Sequence, residues 1–281
     1  CGMGGSAARM LGDDEVARFR RDGVIKIPGA VDATTAQRML AAVDRLLASP
    51  ASRGGTGMDR HLHPHDEQFR SFLHTTDLPA LAAEALGSQA IRIYFEQIFM
   101  KGPEVDRPFH WHQDHPYWPV RGTQVASTWV ALTPSTVEAS ALEFVKGSHL
   151  WGKTFRPSNA APGEMPDIEA MNNMWDNFGD LALSYTDVTE NFEDHPDRYE
   201  IVGFNVEPGD ALLFDYRIVH RSRGNNSPNR RVAVSWRWLG DDARWAPVPG
   251  TDPVIWTDDT WLQPGDLITD DDTFPLVYKS A

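Results

Sequence analysis

From residue 90 onward the chain is written as short β-prone runs separated by turn signals, a pattern that two stacked antiparallel sheets accommodate far better than a parallel α/β sheet. The runs are 91–100, 124–132, 141–144, 199–205, 210–214 and 231–239. Gly147-Ser148, Pro208-Gly209-Asp210 and Gly224-Asn225-Asn226-Ser227-Pro228 punctuate them. The part before residue 90 reads differently. Residues 12–22 carry acids early and arginines late, as a helix dipole favours, and Gly23 stops them. A short strand follows at 24–28. Met39, Leu40, Val43, Leu46 and Leu47 recur at helical spacing across 33–48, and a third helix is expected near 78–86, closed by Gly87. Residues 50–60 read as a loop. Helices first and punctuated strands afterwards predict a mainly β chain, a double-stranded β-helix (jelly-roll, cupin-like) core buttressed by N-terminal helices.

The domain organisation expected is a single unit over 7–281. Residues 1–6 read as the remnant of an expression tag or a frayed terminus. Residues 157–198, rich in Met, Asn and acids with weak periodicity, read as a lid-like insertion with some helix around 166–176. A net charge of −14 argues against nucleic acid or an anionic membrane as partner. No apolar run reaches the roughly 20 residues of a membrane span. Cys1 is the one cysteine, so the sequence holds no disulfide framework and no thiolate metal cluster, and a cytoplasmic location is the default. A small-molecule substrate and a monomer or homodimer are expected.

His112 and Asp114 stand two apart, and on a strand such residues share a face. A distant His220 can complete a set of two imidazoles and one carboxylate, the facial triad that leaves open positions on iron(II). Arg231, eleven residues beyond His220, could hold the far carboxylate of a bidentate cosubstrate. Its neighbour Arg230 must point the other way on the same strand.

These residues, taken with Met100-Lys101-Gly102-Pro103, Trp129, the run 145–149, Pro208-Gly209-Asp210 and His220-Arg221-Ser222, resemble the phytanoyl-CoA dioxygenase family of Fe(II)/2-oxoglutarate-dependent oxygenases over about residues 12–240. The resemblance implies the jelly-roll fold, Fe(II) held by His112, Asp114 and His220, 2-oxoglutarate as cosubstrate and O2 as oxidant. It implies that Arg231, Ser222, Lys101, Gln113 and Trp129 meet the cosubstrate. It implies oxidation of a C–H bond in a small molecule, with bacterial natural-product biosynthesis as the expected setting. Asp114 argues against halogenation, for which the family's halogenases have Gly or Ala in place of the carboxylate. Lys101-Gly102-Pro103 departs from the more usual Lys-Pro-Pro. Two rivals are a metal-dependent cupin-type enzyme and a non-catalytic jelly-roll binding module.

Phe95, Phe109, His110 and Trp118 are expected to wall the substrate pocket, against the plainer reading that most aromatics of a barrel are core. Trp236 and Trp238 lie an odd number of positions from Arg231 and should pack outside the barrel. His61, His63, His65 and His74 read as surface histidines. Arg121, Arg217, Arg221 and Arg223 read either as an anion site or as surface ion pairs.

Overall fold

The computed structural model describes residues 9–49, 60–105, 107–157, 167, 169, 178–251, 254–255 and 257–280. The expected loop at 50–60 and helix at 166–176 therefore lie almost wholly outside the described residues, as does the expected tag remnant.

Helix α1 (Asp13–Asp22) has Asp13, Asp14 and Glu15 in its first turn and Arg20 and Arg21 in its last. Gly23 closes it at φ 83°, donating its N–H to the Phe19 carbonyl at 2.8 Å. A Cβ at Gly23 would also meet the His149 ring at 2.5 Å, so both conformation and space require glycine. Strand β1 (Val24–Ile27) follows, then α2 (Ala33–Leu47), whose cap Asp32 accepts from the Thr35 N–H. Helix α3 (Glu67–Thr75) was not expected; Asp66 caps it, accepting from the Gln68 and Phe69 N–H groups. Helix α4 (Leu78–Leu86) ends at Gly87 in the left-handed region, as expected.

The strands are β2 (Ala90–Lys101), β3 (Phe109–His112), β4 (Val120–Arg121), β5 (Val125–Ala131), β6 (Leu142–Val145), β7 (Ile201–Gly203), β8 (Ala211–Asp215), β9 (His220–Ser222), β10 (Arg231–Leu239), β11 (Arg244–Trp245) and β12 (Leu276–Lys279). A short helix α5 (Phe178–Ser184) lies between β6 and β7. The major sheet has the order β1-β8-β5-β10-β2-β12, the minor sheet β3-β9-β6-β7, and β4 and β11 form a separate ribbon. Every pairing between these strands is antiparallel. The mainly β jelly-roll expectation holds. The edge strand β12 was unforeseen.

Alternation sorts the major sheet into two faces. Outward residues Ile25, Ile27, Ala126, Val130, Leu213, Val232, Val234, Trp236 and Trp238 join the helices in one apolar layer. Trp236 and Trp238 thus pack where their parity puts them. Inward residues Val24, Trp129, Ala131, Leu212, Phe214 and Ala233 share a second core with Leu142 and Phe144 of the minor sheet. Strand β10 is buried on both faces along its whole length, yet its inward positions include Arg231, Ser235 and Arg237. Buried polar groups in a central strand are the informative exception, and they mark the site.

The surface reading of His63 is corrected. It is buried, and its Nδ1 lies 2.7 Å from Oε2 of the fully buried Glu96 on the outward face of β2. Its backbone N–H donates to the other oxygen of that carboxylate. The pair fastens the segment before α3 to the sheet.

Candidate metal and anion site

His112 ends β3 and pairs across the minor sheet with His220, the first residue of β9. Their rings lie 4.3 Å apart, centroid to centroid. Asp114 is not on the strand, contrary to the simple alternation reading. It adopts helical backbone angles, φ −71° and ψ −32°, at the entry of a 3₁₀ turn over His115–Tyr117. That bend, rather than a pleat, turns its carboxylate toward the two imidazoles. One ligand atom from each of the three lies within 4.8 Å of the others. Asp114 Oδ1 is 3.9 Å from His220 Nε2.

The surroundings fix how these groups present themselves. His112 Nδ1 lies 2.7 Å from the His110 carbonyl and His220 Nδ1 lies 3.0 Å from the Ile218 carbonyl. A carbonyl can only accept, so both protons sit on Nδ1 and both Nε2 lone pairs face the cluster, the form a metal requires. Burial first, and then the neighbouring His112 imidazole with which it would have to share a proton's charge, pulls the His220 pKa to about 4, which keeps the ring neutral. Ser127 of β5 donates to Asp114 Oδ2 at 3.1 Å, leaving Oδ1 toward the histidines. The donor set fits a divalent iron-type cation with an open face.

A second feature lies beside it. Arg231 opens β10 opposite Lys101, the last residue of β2. Arg231 is 2% exposed, with its guanidinium carbon 5.7 Å from the Trp129 ring centroid. It donates to the Phe99 carbonyl and to Ser140 Oγ, both at 3.1 Å, while its Nε has no partner. Burial lowers its pKa to about 10. Lys101 donates to Ser222 Oγ at 3.1 Å and to the Arg223 carbonyl at 2.6 Å. Burial, then the charges of Arg231 and Arg107, lower its pKa to about 7. Two buried cations held together by neutral acceptors make a receptor for an anion. Arg230 points away and pairs with Asp44 at the surface.

The remaining expected residues divide. Phe109 lies under the Lys101 ammonium, 5.0 Å from nitrogen to centroid, and is partly exposed. His110 lends its carbonyl to His112. Phe95 and Trp118 are buried in an aromatic cluster with Tyr94 and Tyr216, and the Arg237 guanidinium lies over both. Gln113 is corrected: its amide donates to the Lys153 and Arg217 carbonyls and accepts from the Phe155 N–H, so it pins a loop and does not face the anion site. Arg217 pairs with Asp215, and Arg221 and Arg223 both pair with Glu143, which favours the ion-pair reading of those cations.

Sequence reasoning missed Ser127, Ser140 and Arg237. Inward parity with Trp129 could have found Ser127. Ser140 sits at φ 72°, an uncommon conformation for a non-glycine residue, and nothing local in the sequence announces it.

The phytanoyl-CoA dioxygenase (PhyH) family model matches residues 19–233. Phytanoyl-CoA dioxygenase domain-containing protein 1 of Rattus norvegicus is 27% identical over 222 residues, covering 77% of this chain, and the match spans 63% of that protein's length. The non-heme alpha ketoglutarate dependent epimerase SnoN from nogalamycin biosynthesis superposes with a TM-score of 0.70 at 24% identity, over 96% of each chain. EctD from S. alaskensis, solved with 2-oxoglutarate and 5-hydroxyectoine, superposes with a TM-score of 0.63 at 22% identity, over 91% of this chain and 85% of its own. The two structures share the fold, and the family model spans most of the sequence: the chain belongs to the phytanoyl-CoA dioxygenase family.

Proposed function

We propose that the chain is an Fe(II)/2-oxoglutarate-dependent oxygenase that oxidises a C–H bond of a small molecule. The observation that carries this reading is the pairing of a three-ligand cluster with a buried anion receptor whose Arg231 Nε has no partner. A metal-binding barrel alone would leave Lys101, Ser222 and Arg231 without a purpose. Bound iron(II), 2-oxoglutarate and O2 would supply the oxidising chemistry, with succinate and carbon dioxide as coproducts and one oxygen atom going to the substrate in a hydroxylation.

The chain's own residues supply placement. His112, Asp114 and His220 hold the metal, and Ser127 keeps the carboxylate turned toward it. Arg231 and Lys101, with Ser222, bind the distal carboxylate of 2-oxoglutarate, and Trp129 floors the Arg231 guanidinium. Ser140 aims that guanidinium. Helix α5, within the stretch 157–198 expected to be a lid-like insertion, acts as part of a lid. In support, Leu181 and Ala182 of α5 pack against Tyr117, whose ring lies 6.2 Å from that of His112. Among the described residues no helix is long and apolar enough to cross a membrane. A role in natural-product tailoring is supported by the likeness to SnoN and EctD, which are associated with nogalamycin biosynthesis and 5-hydroxyectoine respectively.

The test is anaerobic titration of metal-free protein with iron(II) and then 2-oxoglutarate, following the weak visible charge-transfer band of a chelated 2-keto acid. A band in the wild type that is lost in His112→Ala is expected. Iron binding without a band would refute the cosubstrate assignment.

A further inference from the structure

Strands β3 and β9 carry two of the three metal ligands, and a bulge interrupts their pairing beside those ligands. Phe109 pairs with Ser222 and His112 with His220, so two residues, His110 and Trp111, stand opposite the single residue Arg221. A bulge disrupts the ladder locally, and backbone bonds hold the register next to it less firmly. The imidazoles depend on that register. His112 Nδ1 is bonded to the His110 carbonyl and His220 Nδ1 to the Ile218 carbonyl, each two residues earlier in the same strand or its approach. Each ring therefore moves with its own backbone, and their separation of 4.3 Å follows from how β3 sits against β9.

A network on the reverse face of the minor sheet holds the bulge. The Arg221 guanidinium carbon lies 4.3 Å from the Trp111 ring centroid. Glu193 joins the two: its Oε2 accepts from Trp111 Nε1 at 2.9 Å, and its Oε1 accepts from the Arg221 guanidinium. Glu143 of β6, opposite Arg221 in the sheet, accepts from Arg221 Nε at 3.0 Å. Phe192 is buried with its ring edge-on to Trp111 at 5.6 Å, which seats the 3₁₀ turn Phe192–Asp194 that carries Glu193. One carboxylate thus bonds a sequence neighbour of each histidine ligand, Trp111 before His112 and Arg221 after His220. The Glu193 side chain is 39% exposed, and an exposed ion pair contributes little to stability. Bridging the two sides of a bulge restrains their relative position instead.

We propose that Glu193 is a positioning residue for the metal site: it clamps the bulge from the reverse face of the minor sheet and so sets the spacing of His112 and His220. Trp111 and Arg221 are the arms through which it acts. Metal affinity then depends on the seating of the turn Phe192–Asp194, which lies in the stretch 157–198 expected to be lid-like. The inference rests on the oxygenase reading and adds to its metal site a residue that touches neither metal nor cosubstrate.

The experiment measures cobalt(II) affinity of the full chain by anaerobic competition with a chelator, the visible spectrum of the bound cobalt, and thermal unfolding of the metal-free protein. Glu193→Ala should lower the affinity about tenfold, the low end of what partners of metal ligands contribute, and should alter the cobalt spectrum. Glu193→Gln keeps an acceptor for Trp111 and loses the charge facing Arg221, so its affinity should fall between wild type and Glu193→Ala. Trp111→Phe removes the indole N–H and should also weaken cobalt binding. Combined with Glu193→Ala it should lower the affinity no further, because both changes remove the same bond. Glu190→Gln, in the same segment but bonded to Tyr199, should match wild type. A wild type that binds cobalt no better than His112→Ala would sink the metal-site reading and this inference with it. Wild-type cobalt affinity in Glu193→Ala, an equal loss in Glu190→Gln, or additive losses in the double variant would overturn this inference alone. A drop in metal-free stability with cobalt affinity and spectrum unchanged would make Glu193 structural. Should Glu193→Ala fail to fold, unchanged affinity in both Glu193→Gln and Trp111→Phe would overturn the clamp.

Discussion

Replacing Ser127 with alanine tests whether the ligand carboxylate is positioned by the barrel wall. The perturbation is small: one buried hydroxyl is removed, and the strand keeps its register between β8 and β10. What is lost is the 3.1 Å bond to Asp114 Oδ2. Asp114 sits at a bend with no capping hydrogen bond to its side chain, so Ser127 is its described restraint. A hydrogen bond to an ionised group contributes about 1.5–3 kcal/mol, which corresponds to roughly tenfold to a hundredfold in an equilibrium constant. Partners of metal ligands contribute losses of the same size when removed. Cobalt(II) or manganese(II) affinity, measured by competition with a chromophoric chelator under anaerobic conditions, should therefore fall tenfold to a hundredfold. Thermal unfolding of the metal-free protein should move little, because the metal-free fold has less need of a fixed Asp114 rotamer. Unchanged metal affinity would refute the positioning role. A large loss of metal-free stability would show that Ser127 acts on the fold.

Three other perturbations probe separate parts of the structure. Arg231→Gln should weaken 2-oxoglutarate binding by the 2–5 kcal/mol typical of a truncated buried charge pair, while Arg230→Gln, which breaks only the surface pair with Asp44, should leave it unchanged in isothermal titration; the opposite ranking would move the receptor to the other residue. Lys101 holds a folded pKa near 7, below its unfolded value of about 10.4. Between those values the unfolded chain binds more protons, so the stability of the ligand-free protein should rise with pH across that window. Lys101→Met should be more stable than wild type near pH 7 without ligand, with the gap closing toward pH 10 in denaturant titrations; a gap that stays constant with pH would contradict the shifted lysine. His63→Ala should cost about 3–5 kcal/mol of stability by stranding Glu96, which is 0% exposed, and His63→Ala combined with Glu96→Leu should recover part of that loss in chemical denaturation; a double variant no better than the single would deny the coupling.

What could be read in the sequence was what local chemistry determines. α1 announces both ends through its acids, its arginines and Gly23, and β10 announces its bounds by apolar continuity between turns. Parity on that strand separates Arg231 from Arg230, and their placements follow it. Positions set by tertiary contacts were not legible. α3 owes its entry to Asp66, but the segment before it is held down by His63 on Glu96, a pairing across 33 residues. Asp114 reaches the histidines through a backbone bend that strand periodicity cannot express. Gln113, lying between two ligands, faces a loop because that bend rotates it away from them. β12 finds β2 across most of the chain's length, and its four residues carry no periodic signal long enough to identify it.

Strand β10 also explains how one barrel can hold two cations without losing its core. Its odd positions, Arg231, Ser235 and Arg237 among them, face the interior, and its even positions, Val232, Val234, Trp236 and Trp238, face the helices. A slip of one residue would put both indoles into the site and both guanidinia into the apolar layer, so the hydrophobic face enforces the register of the polar one. The irregularity in its pairing with β2 falls between Arg237 and Trp238, after the last inward polar residue. Register is therefore continuous from Lys101 opposite Arg231 to Phe95 opposite Arg237, and the spacing between the two cations is fixed by backbone geometry rather than by side-chain choice.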